Sequence, residues 1–273
     1  MSKSVKILFV GDVVGGLGKR TLFGLLPTLR ERLTFDFLVV NGENAAGGVG
    51  ITPKIADQMF AAGVDVITLG NHTYRQREVY SYLDTHDQIL RPSNFLRTQP
   101  GHGWCVVKRG DVRLGVLSLS GSLFMDVARP AFVEADAVLE GLTAKVDHLL
   151  VDMHAEATSE KVGMGWYLDG RVTAVVGTHT HVPTADARVL PGGTAYISDV
   201  GMTGPRGGVI GVKREQAIEA MRTKMPVRFE VSTEDPWLQG VLITTAEQPL
   251  RATAIETVHE PGPGASEPDP GVS

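Results

Sequence analysis

Residues 172–181 read VTAVVGTHTH. A short run rich in β-branched residues, Val172 to Val176, ends in Gly177 and then in two histidines, His179 and His181. Such a run, bounded by a turn residue, is the pattern of a buried strand. Two histidines at its tip are either a pair of metal ligands or a polar turn. The choice depends on what else in the chain can meet them.

Four other apolar runs end in the same manner. Ile7 to Val10 is followed by Gly11-Asp12, and Phe37 to Val40 by Asn41-Gly42-Glu43-Asn44. Val66 to Leu69 is followed by Gly70-Asn71-His72, and His148 to Val151 by Asp152-Met153-His154. Ligands of open α/β sheets bind outside the carboxyl ends of the strands. Parallel strands put those ends on one edge, so the five loops can converge. Glycines 11, 42, 70 and 177 are expected to allow tight strand-to-loop turns.

The connecting segments fit that picture. Helical spacing runs over Lys19–Leu33, Pro53–Ala62 (with Thr52 as cap), Gln76–Asp84, Ala131–Leu142 and Lys213–Met221. The opening βαβαβ order implies a largely parallel sheet covered by helices. Trp104–Lys108 and Val112–Leu119 flank Arg109-Gly110-Asp111 and read as a hairpin. Thr194–Ser198 reads as a further strand. Val227–Ser232, Leu238–Thr245 and Arg251–Thr257 resemble antiparallel strands that close a second sheet. Residues 1–259 are expected to form one domain, and the Pro/Gly-rich residues 260–273 a disordered tail.

Composition narrows the functional class. The 273 residues are 42% hydrophobic and 21% charged, with a net charge of -5, an ordinary globular balance. The slight acidity argues against a broad nucleic-acid footprint. No apolar run approaches the length of a membrane span. The stretch after Lys6 is cut by Gly11-Asp12 and reads as a first strand rather than a signal peptide. Cys105 is the single cysteine, so no internal disulfide forms, in keeping with a cytoplasmic location.

The loops carry the carboxylates Asp12 and Glu43, the amides Asn44 and Asn71, and the imidazoles of His72, His154, His179 and His181. That set is too large for one tetrahedral zinc. It suits two ions sharing a carboxylate, and its mixed oxygen and nitrogen donors fit Fe, Mn, Zn or Co better than Mg or Ca. Two-metal sites, with ions ~3.5–4 Å apart, typically displace at phosphorus. Each element has a plainer reading. Asp12 is a common turn residue, Asn41-Gly42 a common turn, His154 a satisfied core histidine. Their order and shared strand-end placement favour the site. His86, His102, His148 and His259 lack that context and are expected to be solvated or structural. The glycines of GDVVGGLG (11–18) do not have G-x-G-x-x-G spacing, so a dinucleotide fingerprint is set aside.

The ordered series GD, NGEN, GNH, a lone histidine and GTHTH resembles the calcineurin-like metallophosphoesterases, whose motifs usually read D-x-H, GD-xx-D, GNH-[DE], H and GH-x-H. The sequence departs from them at Val14, where a histidine is usual, and at Glu43-Asn44, where an aspartate usually bridges the metals. Those departures, with DMHAEATSEKVGMGWYLDGRVTAVVGTHTHVPTAD and YISDVGMTGP, are similar to the YmdB-like phosphodiesterases over nearly the whole chain before the tail. The resemblance implies a four-layer α/β/β/α sandwich with two mixed sheets. It implies that Asp12, Glu43, Asn44 and His181 hold one ion, and that Glu43, Asn71, His154 and His179 hold the other. Glu43 would bridge, and Asn44 would replace the ligand lost at Val14. His72 would act as general acid.

The implied reaction is hydrolysis of phosphodiesters, notably 2′,3′-cyclic nucleotides, with iron or manganese expected. In that reading the ions would activate a water for attack on phosphorus, and His72 would protonate the departing ribose oxygen. A phosphomonoesterase such as a nucleotidase, and a metal-loaded nucleotide-binding regulator, are the alternatives. Arg75, Arg91 and Arg206 lie near the motif loops and are candidates for holding phosphate. Gly201 to Gly211 reads as a flexible loop, shaping the pocket or forming a plain surface turn. Exposed edges of two sheets leave self-association open, as any RNA role is.

Overall fold

The structure, a computed structural model, describes residues 4–265. In chain order, β1 (Lys6–Val10) and the two-residue β2 (Asp12–Val13) lead into α1 (Gly15–Leu33) and β3 (Phe37–Asn41). Next come α2 (Pro53–Ala61), β4 (Val66–Thr68), α3 (Val79–Thr85) and β5 (Ile89–Leu90). β6 (Trp104–Arg109) and β7 (Val112–Ser120) precede α4 (Ala131–Leu142), β8 (His148–His154), α5 (Thr158–Tyr167) and β9 (Ala174–Thr178). The rest is β10 (Arg188–Val189), β11 (Ala195–Ile197), β12 (Met202–Pro205), α6 (Arg214–Thr223), β13 (Pro236–Thr245) and β14 (Ala252–Pro261).

Two sheets result. The first runs β2-β12-β13-β1-β3-β4-β5, with β14 added to β13. Its β1, β3, β4 and β5 are parallel. The second runs β10-β11-β9-β8-β7-β6, with β7, β8, β9 and β11 parallel. Alternation along each strand sorts side chains into layers. Leu8 and Val10 pack outward with Leu22, Leu26 and Leu29 of α1 and Met59 of α2. Ile7 and Phe9 pack inward with Val116 of β7, Leu150 of β8 and Val176 of β9. On the far side Leu149, Val151 and Met153 meet Ala135 and Leu139 of α4 and Met164 of α5. Helices, sheet, sheet, helices: this is the four-layer sandwich.

The structure differs from the sequence expectations at several points. α1 starts at Gly15, ahead of the Lys19 that apolar spacing suggests, because Gly15 and Gly18 are buried and carry no apolar side chain to mark the register. Val227–Ser232 is not a strand. It makes one isolated bridge, Val212 to Val231. Phe229 is 55% exposed there, so no face is buried, and Pro226 just before it has no N–H to give. β13 and β14 do not close the second sheet. β13 pairs antiparallel with β1 over Lys6–Thr244 to Val10–Gly240, because β1 is apolar on both faces and needs a partner opposite β3. The second sheet is built instead on the β6–β7 hairpin, whose two-residue loop places Gly110 at φ 57°. Residues 201–211 are only partly a loop, since buried β12 lies within them, pairing with β2 and β13. Glu260 and Pro261, expected in the tail, belong to β14. Tail residues 266–273 lie outside the described residues.

Candidate metal centre

Two sheets deliver the site, not one. β1, β3 and β4 of the first sheet end at Asp12, Glu43-Asn44 and Asn71-His72. β8 and β9 of the second end at His154 and His179–His181. Asp12, Glu43 and His154 are fully buried, and Asn44 is 2% exposed.

The donor atoms face one another. One ligand atom each from Glu43, His154 and His179 lies within 4.8 Å of the others. His154 Nε2 is 3.2 Å from Glu43 Oε1, 3.0 Å from Asn71 Oδ1 and 3.1 Å from His179 Nδ1. Beside this group, His181 Nε2 is 3.7 Å from Asp12 Oδ1 and 3.1 Å from Asn44 Nδ2. Asp12 Oδ1 is buried and accepts no hydrogen bond. Such an orphaned carboxylate oxygen is open to a cation.

The outer nitrogen of each imidazole is already used. His154 Nδ1 donates to Thr178 Oγ1 at 2.8 Å, and that hydroxyl donates to Asp152 Oδ1 at 2.7 Å. His179 Nε2 is 2.9 Å from Glu156 Oε2. His181 Nδ1 donates to the Ile210 carbonyl at 2.9 Å. Each contact ties the outer nitrogen to the protein and turns the inner nitrogen to the cluster, the arrangement that orients histidine toward a metal. The chemistry of the donor set fits divalent metal ions, with Glu43, His154 and His179 grouped most closely and Asp12 and His181 beside them.

Buried charges of opposite sign lie side by side in the cluster. Burial pushes the Glu43 carboxyl up, but the His154 and His72 imidazoles outweigh it and hold Glu43 well below the usual carboxylate range. Burial pushes His154 down, yet Glu43, with Asp12 and Asp152 behind it, raises it to about 9. Burial likewise opposes the rise of His181 to about 8, which the Asp12 carboxylate beside it drives. His179 falls to about 4, through burial and then the His154 charge beside it.

His72 sits at the margin, its side chain 25% exposed. Its Nδ1 donates to Asn44 Oδ1 at 2.7 Å and its backbone N–H to Glu43 Oε2 at 3.3 Å. Asn44 thus turns its oxygen to His72 and its Nδ2 to His181. A half-turn of the amide would present the oxygen to the cluster.

The three arginines fare differently. Arg75 is exposed in the loop that carries His72. Arg91 is 6% exposed and donates to the Pro92 carbonyl. It lines a separate cavity of about 910 Å³ that no residue of the cluster lines. Arg206 pairs with Asp235 at 2.8 Å and lies 4.1 Å over the Trp237 ring. The structure therefore takes Arg91 and Arg206 into other contacts. Of the remaining histidines, His148 is buried on β8 and His86 stacks on Tyr82 at 3.6 Å.

Sequence reasoning passed over Asp152, Thr178 and Glu156. Asp152 joins the sheets: its Oδ2 accepts from Asn41 Nδ2 at 3.1 Å and Thr68 Oγ1 at 2.5 Å, its Oδ1 from Thr178. Burial pushes its carboxyl up to about 6 despite those bonds. Its signal was a carboxylate two residues before a ligand histidine on a strand otherwise apolar. The strand-end glycines serve close packing rather than a left-handed turn. Positions 11, 42, 70 and 177 are not among the positive-φ glycines. They lack a Cβ because something else fills the space. At Gly11 a Cβ would stand 2.0 Å from the Gly201 carbonyl oxygen. At Gly70 it would stand 2.2 Å from the His154 ring and 2.3 Å from Glu43 Oε2. Gly70→Ala is accordingly expected to abolish metal uptake, read as metal content after gel filtration, while far-ultraviolet dichroism is unchanged.

Comparison with known proteins fits this geometry. The model of the YmdB-like protein family matches residues 8–258. A 2′,3′-cyclic-nucleotide 2′-phosphodiesterase of Bacillus subtilis is 44% identical, over 93% of this chain and 96% of the relative. A crystal structure of a hypothetical protein from Thermus thermophilus superposes with a TM-score of 0.89 at 38% identity, over 94% of this chain and 100% of that one. The crystal structure of a novel phosphatase from Mycoplasma pneumoniae does so with 0.87 at 34% identity, over 96% and 95%. Matched along nearly its whole described length by the family model, the chain belongs to the YmdB-like family.

Proposed function

We propose that the protein is a phosphodiesterase that uses two divalent ions, iron or manganese, to open 2′,3′-cyclic nucleotides. The observation that carries the reading is the cluster itself: Asp12, Glu43, Asn71, His154, His179 and His181 converge, with every histidine's outer nitrogen held by a protein acceptor. The substrate class follows the Bacillus subtilis relative. Bound there, two ions would neutralise phosphate oxygens and lower the pKa of a water.

The chain's own residues supply the rest. Glu43, whose Oε1 is 3.2 Å from His154 Nε2 and accepts from Asn44 Nδ2 at 3.4 Å, would serve both halves. His72 stands on the open side. With Nδ1 held by Asn44, Nε2 is the nitrogen that would give its proton to the 2′ oxygen as the P–O2′ bond breaks, leaving a 3′-phosphate. Arg75, exposed three residues on, is the arginine free to reach a phosphate oxygen. Among the described residues no helix is long and apolar enough to cross a membrane. A cytoplasmic site of action is part of the same proposal.

The test is metal content and hydrolysis of 2′,3′-cyclic AMP for the wild type and His179→Ala, purified side by side. About two ions per chain, 3′-AMP as product and loss of both in the variant are expected. A metal-free, inactive wild type would sink the proposal, and turnover confined to phosphomonoesters would favour the phosphatase reading that the Mycoplasma pneumoniae structure's name suggests.

Metal uptake should also release protons. Histidine must be neutral to ligate, and His154 and His181 titrate at about 9 and about 8 in the metal-free chain. At neutral pH both are charged, so binding expels their protons. Affinity for Mn²⁺ is expected to fall as pH drops through those values and to level off above them. Calorimetry in buffers of different ionisation enthalpy measures the release directly, and a pH-independent affinity would contradict it.

A further inference from the structure

The backbone between the two histidines of the last loop is under constraint. His179 and His181 have φ of 94° and 63°, the left-handed region that residues with a Cβ enter only when their surroundings hold them there. Thr180 lies between them and is where that hold acts. Its N–H donates to Asp199 Oδ2 at 3.2 Å, and its hydroxyl donates to the same oxygen at 2.6 Å. Lys161 reaches in from α5, with Nζ 2.8 Å from Asp199 Oδ2 and 3.1 Å from Thr180 Oγ1.

Asp199 is fixed in its turn. Its Oδ1 accepts from the Gly201 N–H at 2.8 Å, and its own N–H donates to Thr184 Oγ1 at 2.9 Å. The strand end is packed tightly against this assembly: a Cβ at Gly177 would lie 1.7 Å from the Ser198 carbonyl oxygen and 2.9 Å from Lys161 Cδ.

We infer that Lys161 and Asp199 form a clamp on Thr180 that positions His179 and His181 as ligands of two different metal ions. The inference rests on the dinuclear reading above. Two other roles fit the geometry less well. Lys161 does not hold substrate phosphate, because it is 2% exposed and its ammonium is already engaged. The pair is also a poor device for stability alone, since a buried ion pair seldom outdoes apolar residues of like volume. What distinguishes it is its hold on the one residue between the two ligands. Lys161 and Asp199 are positioning residues, acting through Thr180.

The test is Thr180→Val, which keeps shape and backbone N–H but removes the hydroxyl, alongside Lys161→Met. Metal-free full-length protein is titrated with Mn²⁺ by calorimetry. Its melting temperature is measured, and the two-equivalent sample is examined by electron paramagnetic resonance for exchange coupling between the ions. Both variants are expected to bind Mn²⁺ roughly 10–100-fold more weakly, the loss typical of partners that orient metal ligands, and to lose the coupled signal. Lys161→Met leaves the Asp199 charge unpaired and is the variant at risk of misfolding. Thr180→Val carries the decision in that case. Thr180→Val with wild-type affinity and a coupled signal would overturn the clamp, even if it melted lower. A wild type that binds no Mn²⁺ would overturn the dinuclear reading and the clamp together.

Discussion

Replacing His72 by alanine is expected to cost about 10²–10⁴-fold in turnover on 2′,3′-cyclic AMP, the usual worth of a positioned general acid, while both metal ions stay bound. The expectation comes from placement. His72 touches the cluster only through Asn44 Oδ1 and Glu43, and it is the cluster imidazole on the open side. A ribose alkoxide is a poor leaving group and needs a proton. An aryl phosphodiester has a good one, so the same variant should lose far less on bis(p-nitrophenyl) phosphate. The ratio of the two losses is the measurement. Equal losses on both substrates would mean that His72 holds metal or substrate instead. Loss of metal would mean that it is a ligand.

Glu43→Gln is expected to reduce metal affinity by more than the ~10–100-fold that an outer partner is worth, and to leave turnover at background. Glu43 is fully buried and its carboxylate is the negative charge common to His154, His72 and the cluster centre. The amide keeps the shape and removes that charge. A second readout separates electrostatics from packing. The Glu43 charge raises His154 to about 9. Without it, the His154 imidazole in the metal-free variant should titrate lower, which NMR of its ring protons would detect. An unchanged His154 titration with intact metal binding would remove Glu43 from the centre of the site.

The legible part of the molecule was the part written in periodicity and punctuation. β1, β3, β8 and β9 announce themselves as apolar runs, and each ends in polar residues that must lie at a strand's carboxyl end. Hence the ligand candidates could be named from the chain alone. Thr52 as a helix cap was legible too, since its hydroxyl does accept from the Ile55 N–H at 3.3 Å. The short strands β2, β5, β10 and β12 were not. Two to four residues carry no period, and they become strands only because a neighbour offers unpaired backbone groups. The segment at Phe229 shows the converse: strand-like composition with one isolated bridge and no buried face remains coil.

By itself, the sequence determined which residue types stand at the strand ends and in what order, and therefore the family and the kind of chemistry on offer. Strand direction and donor chemistry are local properties, set by neighbours along the chain. The tertiary structure alone decided that the loops come from two sheets rather than one, and that Asp152 ties those sheets together. It also decided that Gly70 is glycine because His154 and Glu43 occupy its Cβ position, and that Lys161 and Asp199, 38 residues apart, meet over Thr180. Those are contacts between segments distant in sequence. They depend on how the layers stack, and no local pattern records a distance between two chain segments that only packing brings together.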